Sequence, residues 1–312
     1  MKKVNLRLAV YCVIAQLSVM SCTHRELCYD HSHWVDLKVE FDWSLEPDAS
    51  PRTMVMYLFP HNGDDSYRYE ITDINGSIVR VPSGDYDAVA FNGDTETFVE
   101  SGAAFGDFMI TTDEESLLAP INRSDSKVPR PEEAEDQPVK KAPETMWSAS
   151  LSGITVHSAT TDQTVCLTPQ ESTVIYDVVF KNVENVNGEL AVSAAISGVA
   201  EGYCPSVATS TGASVTVPFS VGITGSTSLG GSVTLFGHCP DTGDSRKHIL
   251  TVYTANHYYY NFDITDQIHT APDPQHITIV IDGLRLPAPD DTGMHPEVSE
   301  WTDVVNENID ML

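Results

Sequence analysis

The sequence predicts an all-β protein built from two tandem antiparallel β-sandwich domains. Three observations lead there. Short segments with apolar residues at every second position recur along the chain. Turns rich in Gly, Asn and Asp separate them, and no window before Ala119 sustains a helical period. The length of 312 residues suits about two domains when about 150 residues is taken per domain.

The first stretch reads as an address. Lys2, Lys3 and Arg7 form a basic region, and Leu8 to Met20 is almost continuously apolar, short for a bilayer span and suited to a signal peptide. Val19-Met20-Ser21-Cys22 has the shape of a lipobox. Residues 1–21 are thus expected to be a lipoprotein signal peptide, and the Cys22 thiol the nucleophile that accepts a diacylglyceryl group. Two or three acyl chains hold a protein stably to a membrane where one does not. The plainer alternative is an ordinary cleaved signal followed by an unmodified cysteine.

Loss of residues 1–21 removes three basic residues and no acidic one, taking the formal charge from -28 to -31. Such a surface repels phosphate backbones and anionic headgroups, so no nucleic-acid partner is expected and membrane attachment must come from the lipid. Of six cysteines, Cys12 leaves with the signal and Cys22 takes the lipid; Cys28, Cys166, Cys204 and Cys239 remain. They permit two disulfides in three connectivities. Cys204 and Cys239 flank consecutive expected strands and are the best candidate pair, although buried free thiols would look the same.

His24, Cys28, His31 and His33 place four nitrogen and sulfur donors within ten residues. They are weak zinc candidates, because the spacing is not that of a standard structural site. The alternative is a set of surface residues leading into the first strand, so no metal is expected.

Residues 22–119 are expected to form the first sandwich. Trp34 to Trp43 alternates, with Val35, Leu37, Val39 and Phe41 on one face. Thr53 to Phe59 is a denser strand. Tyr67 to Ile71 and Ser77 to Val81 bracket Asp73-Ile74-Asn75-Gly76, and Asn-Gly predicts a hairpin there. In Tyr86 to Phe91 both faces carry packing residues. Phe98 to Val99 and Phe108 to Thr111 supply further short strands.

Residues 120–145 hold Pro129, Pro131, Pro138 and Pro143 among charges and small polar groups, a composition that cannot bury a core. This segment is expected to be a linker or a long exposed loop. Residues 146–287 repeat the style of the first half: Val174 to Phe180, Leu190 to Ile196, Ser214 to Phe219, Ser232 to Phe236, Lys247 to Thr254, His257 to Ile264 and His276 to Ile281 read as strands of a second sandwich. Residues 288–312 form a tail whose Trp301, Val305, Ile309 and Met311 share one face of a candidate strand. Its plain reading is a last strand on its own domain; its sharper reading is a strand that pairs with another chain's edge.

Enzymatic motifs are missing: there is no G-x-S-x-G, H-E-x-x-H, P-loop or G-x-G-x-x-G. Pairs such as Asp85 and Asp87 are expected as turn residues in a chain with 45 acidic side chains. Asn92-Gly93-Asp94-Thr95-Glu96 lacks the register of an EF-hand loop and reads as a turn. In Tyr258-Tyr259-Tyr260 the outer two rings should enter the core and Tyr259 point outward, a poor platform for a sugar.

Several phrases together are similar to Bacteroidota-type fimbrillin-related lipoproteins: CTHRELCYDHSH from Cys22 to His33, VPSGDYDAVAFN from Val81 to Asn92, ISGVAEGY from Ile196 to Tyr203, FDITDQI from Phe262 to Ile268, IDGLRLP from Ile281 to Pro287, and the Trp301 tail. The resemblance lies in their order and spacing over the whole mature chain. It implies two transthyretin-like sandwiches and a non-enzymatic accessory or anchor subunit, held to the outer membrane by the lipid on Cys22, with no other cofactor. It also implies fimbrial subunits as partners through strand addition; a surface glycan-binding or adhesin lipoprotein is the alternative. Pilins of that group are trimmed at a basic site; Arg52, Arg123 and Arg130 are the candidates here, and none matches clearly.

Overall fold

A computed structural model describes residues 33–125, 127–158, 162–211, 213–238, 246–288 and 300–304. The alternation seen in sequence makes β1 (Trp34–Phe41), whose Leu37, Val39 and Phe41 are buried. There follow β2 (Met54–Pro60), β3 (Tyr67–Ile71), β4 (Gly76–Pro82) and β5 (Gly84–Asn92), then the short β6 (Phe98–Ser101) and β7 (Met109–Thr112). The chain returns as β8 (Trp147–Val156), β9 (Gln163–Leu167) and β10 (Gln170–Glu171). A three-stranded sheet in the order β4-β1-β9 faces a five-stranded sheet in the order β10-β8-β5-β2-β3. Leu37, Val39, Val79 and Val165 meet Met54, Met56, Leu58, Ala88 and Ala90 between them. Most pairs are antiparallel, but β1 and β9 run parallel.

Two expectations change here. The Asn75-Gly76 turn does not close a hairpin: β3 pairs with β2 and β4 with β1, so the turn carries the chain from one sheet to the other. Gly76 is required because its φ is +123° and a Cβ would collide with the Val39 carbonyl. The domain boundary expected at 145/146 also moves. β8 pairs with β5 and β9 with β1, so residues 147–171 complete the first sandwich. Asn92 fixes the return point, because its buried amide donates to the Thr145 carbonyl at 3.1 Å and accepts from the Trp147 N–H at 2.9 Å.

The second sandwich contains β11 (Val174–Lys181), β12 (Val192–Ala200), β15 (Ser214–Gly225), β16 (Ser228–Leu235), β17 (Ile249–Thr254) and β18 (Tyr258–Asp263), then helix α1 (Thr265–His269), β19 (His276–Asp282) and β20 (Thr302–Asp303). The strand order is β19-β11-β16-β15-β12-β17-β18-β20. Strand β15 bends so that its first part pairs with β12 and its last part with β16, which makes two faces from one continuous ladder. Tyr176, Phe180, Leu250, Tyr260, Phe262 and Ile279 fill the space between.

The intervening β13 (Gly202–Cys204) and β14 (Thr209–Ser210) join β7 and β6 in a small sheet ordered β14-β13-β7-β6, which ties the two halves together. It covers the outer face of β2 and β5, where Val55, Phe59, Val89 and Phe91 pack with Phe108, Ala200 and Phe236. Both faces of β5 are thus used, as its sequence indicates. Phe108 is 2 % exposed and lies with ring centroids 4.8 Å from Tyr57 and 5.6 Å from Phe59. Burying one such side chain contributes about 1.5–3 kcal/mol.

The segment 120–145 is neither a linker nor a solvated loop. With the residues before it from 113 on, it is a strap along the outer face of β12 and β17, where Leu117, Leu118 and Val139 pack on Ala195 and Tyr253. Its sparse apolar residues suffice because polar groups do the rest. Lys140 N–H donates to the Thr216 carbonyl at 3.0 Å, Thr216 N–H to the Pro138 carbonyl at 2.9 Å, and Gly198 N–H to the Gln137 side chain at 3.0 Å. Every residue of β12 is consequently buried, where alternation predicts one wet face.

Candidate functional site

At the far edge of the second sandwich the last described residues lie on β18. Tyr258 pairs with Thr302 and Tyr259 with Asp303 in parallel register. Thr302 N–H donates to the His257 carbonyl at 2.9 Å and Val304 N–H to that of Tyr259 at 3.1 Å. The Trp301 indole closes over this edge, with its centroid 5.0 Å from His257, 5.7 Å from Tyr253 and 6.4 Å from Tyr259.

Period two places these groups. In β17 and β18 the inward residues Val252, Tyr260 and Phe262 enter the core, leaving Tyr253 and Tyr259 on the opposite face. Tyr259 points away from the core, as expected, yet it meets Trp301 rather than open solvent. His257 sits in the β17–β18 turn with φ +68°, a left-handed conformation uncommon for a side-chain-bearing residue. Its Nε2 lies 3.2 Å from Asp125 Oδ2 and 3.4 Å from Arg123 Nη1, both on the strap. The Tyr253 hydroxyl donates to the Pro129 carbonyl at 2.8 Å, and burial raises its pKa. Tail, turn and strap therefore meet in one aromatic box.

The site is made of main-chain groups, aromatic rings and the His257–Asp125 pair. β20 continues the ladder on this edge, and Trp301 covers Tyr253, Tyr259 and His257.

The remaining expected residues lie elsewhere. Cys22, His24, Cys28 and His31 fall outside the described residues, as do Cys239 and the tail's Val305, Ile309 and Met311. His33 is exposed just before β1, and its carbonyl accepts from the Ser83 N–H at 2.8 Å. Cys204 ends β13, partly buried, and burial raises its thiol pKa; the candidate pairing with Cys239 is outside the described residues. Asp85 and Asp87 are clamps on β8: Asp85 Oδ1 accepts from Thr155 Oγ1 at 2.7 Å and Asp87 Oδ1 from Gly153 N–H at 2.8 Å. Asp94 accepts from the Arg52 N–H at 2.8 Å. Arg130 Nη1 donates to the Gln137 carbonyl at 2.6 Å within the strap.

The first sandwich has a concavity of its own. A cleft of about 570 Å³ opens between Pro60–Tyr67 and Pro82–Tyr86, lined by His61, Asn62, Asp64, Tyr67 and Asp85. Trp34, 44 % exposed, stands edge-on to Tyr67 with centroids 5.9 Å apart. Sequence reasoning missed this cleft and the roles of Tyr253, His257 and the strap. The one available signal was the alternation in β17, which leaves Tyr253 on the face opposite the core.

Comparison with solved structures shows the same fold in Bacteroides proteins. A candidate adhesin from Bacteroides ovatus aligns over 92 % of this chain and 98 % of its own, with a TM-score of 0.61 and 16 % identity. A candidate polysaccharide-binding protein of the DUF1812 group from Bacteroides thetaiotaomicron aligns over 84 % and 93 %, with a TM-score of 0.53 and 11 % identity. The fimbrial anchor protein Mfa2 from Porphyromonas gingivalis superposes more loosely, over 79 % and 89 %, with a TM-score of 0.46 and 14 % identity. No curated protein sequence matches the chain. A family model described as a domain of unknown function, DUF5119, matches residues 21–220. That span is more than half of the chain and takes in the first sandwich, the strap and the start of the second, so the protein belongs to the DUF5119 family.

Proposed function

We propose that the protein is a fimbrial accessory or anchor-type subunit, held at the outer membrane by lipid on Cys22 and joined to fimbrial subunits by strand addition. The observation that carries this reading is the thin cover on the β18 edge. Among the described residues, two residues of β20 and one indole occupy an edge that β18 offers over six residues. A longer partner strand would satisfy more main-chain groups than β20 does, so exchange favours the partner. The shared fold with a candidate adhesin and the fimbrillin-like phrases support the same direction. No enzymatic activity is assigned.

The test compares the full chain with one ended after Pro296 in a pull-down of fimbrial subunits. Truncation should leave the fold intact and change the captured subunits; identical capture rejects a role for this edge. Cys22→Ala should abolish palmitate labelling and release the protein from the membrane fraction.

A second reading is favoured by the cleft beside Trp34 and Tyr67: a surface adhesin that binds a glycan, with rings stacking on a sugar face and Asn62, Asp64 and Asp85 accepting hydroxyl hydrogen bonds. A glycan array with wild type and Tyr67→Ala checks it. Signal lost only in the variant supports the cleft; no signal from either removes this reading.

A further inference from the structure

The second sandwich also gathers three imidazoles that the assembly edge does not use. His238 follows β16 and bridges to Val199 on β12, His248 immediately precedes β17, and His269 ends α1. Their ring centroids are 5.1 Å apart for His248 and His269, 5.6 Å for His238 and His269, and 5.8 Å for His238 and His248. His248 Nε2 and His269 Nε2 face each other at 3.1 Å. Two imidazole nitrogens in that position share either a proton or a metal ion.

The local fold holds His248 in place. Its N–H donates to Thr265 Oγ1 at 2.9 Å, and its carbonyl accepts from the Ile264 N–H at 2.9 Å. Gly198, at φ +83° in the bulge of β12, leaves room for the ring: a Cβ there would stand 3.1 Å from His248 Nδ1. His248 is 1 % exposed, and burial, with His269 and His238 beside it, pushes its pKa down to about 4. Among the described residues its Nδ1 has no hydrogen-bond partner, and Nε2 is the nitrogen turned toward His269. Asp263, a carboxylate that acts on His248, is engaged by Thr265, whose hydroxyl donates to it at 2.6 Å.

Zinc binds imidazole nitrogen at about 2.0–2.1 Å, so two ligands of one tetrahedral ion stand about 3.3 Å apart. The His248 and His269 pair is already close to that spacing. Among the described residues no three His, Cys, Asp or Glu side chains stand ready as a complete ligand set. The third must come from a turn of the partly exposed His238 ring, a soft torsion for histidine.

We propose that His248 and His269 are the preformed half of a divalent transition-metal site of the zinc type, which His238 completes. Three imidazoles leave a tetrahedral ion one position for water or a further donor.

The experiment uses the full chain, stripped with a chelator and titrated with zinc chloride in a non-coordinating buffer by calorimetry. One zinc per chain is expected, and cobalt substitution should give the visible absorption of a tetrahedral nitrogen site. His269 is exposed and His238 partly so, so His269→Ala and His238→Ala should fold as wild type does, checked by circular dichroism. Each should weaken binding at least tenfold. His31→Ala should leave binding unchanged. Absence of stoichiometric zinc in the wild type overturns the proposal. So does unchanged affinity in His269→Ala, or loss of the ion in His31→Ala, which would assign it to the donors near the chain start.

Discussion

The first sandwich is closed by two separated stretches of chain, 33–92 and 147–171, whereas the second runs from 174 to 286 with β20 added at its edge. Each nevertheless depends on a piece carried between them. The bridging sheet of β6, β7, β13 and β14 roofs the outer face of the first, and the strap 113–145 roofs the outer face of the second. A cut at 145/146, where the composition changes, therefore parts each sandwich from its cover: the strap from the second, and β13 and β14 from the first. The two sandwiches follow one another in sequence, and each takes its cover from the other's stretch of chain.

The strongest way to break this comparison is to express residues 33–145 alone. Strand β5 would lack β8 and β1 would lack β9, leaving both central ladders open, so the fragment should show no dispersed amide spectrum by NMR. A folded fragment would restore the boundary at 145. Next in size is Phe108→Ala, which empties the aromatic cluster shared by the two halves. It should cost about 3–5 kcal/mol in urea denaturation and keep one cooperative transition. Two separated transitions would mean that the bridging sheet does not couple the sandwiches.

Smaller effects sharpen the picture. Gly76→Ala should cost about 1–3 kcal/mol, since it imposes strain at φ +123° and drives a methyl group into the Val39 carbonyl. A neutral result would show that the turn between the sheets can relax. Tyr253→Phe removes only the hydrogen bond to the Pro129 carbonyl, about 0.5–1.5 kcal/mol. Its readout is local: trypsin should cut faster at Lys127 while the rest of the chain resists. Equal cutting of wild type and variant would mean that the apolar contacts of Leu117, Leu118 and Val139 hold the strap unaided.

Much of this was legible because it is local. Alternation marked β1, and the two apolar faces of β5 foretold that it would be covered on both sides. What escaped depends on partners far away in sequence. Asn75-Gly76 makes a turn whatever its strands do next, so its residues do not reveal that β3 and β4 belong to different sheets. The strap looked solvated because its prolines and charges outnumber Leu117, Leu118 and Val139, and its anchoring is main-chain bonding that leaves no residue signature. His238, His248 and His269 are spaced by ten and twenty-one residues, a pattern without meaning until β12, β17 and α1 bring them together.

The position of β1 has a mechanical consequence. It is the first described strand, and it lies in the middle of its sheet, with seven registered pairs to β4 on one side and five to β9 on the other. Tension applied to the N-terminal end and borne by the rest of the molecule enters along the axis of this strand. It meets hydrogen bonds on both flanks, loaded in shear rather than opened one at a time. Among the described residues β20 holds by two registered pairs on a single flank and can instead be peeled. A molecule so arranged yields first at its tail while its leading strand still grips.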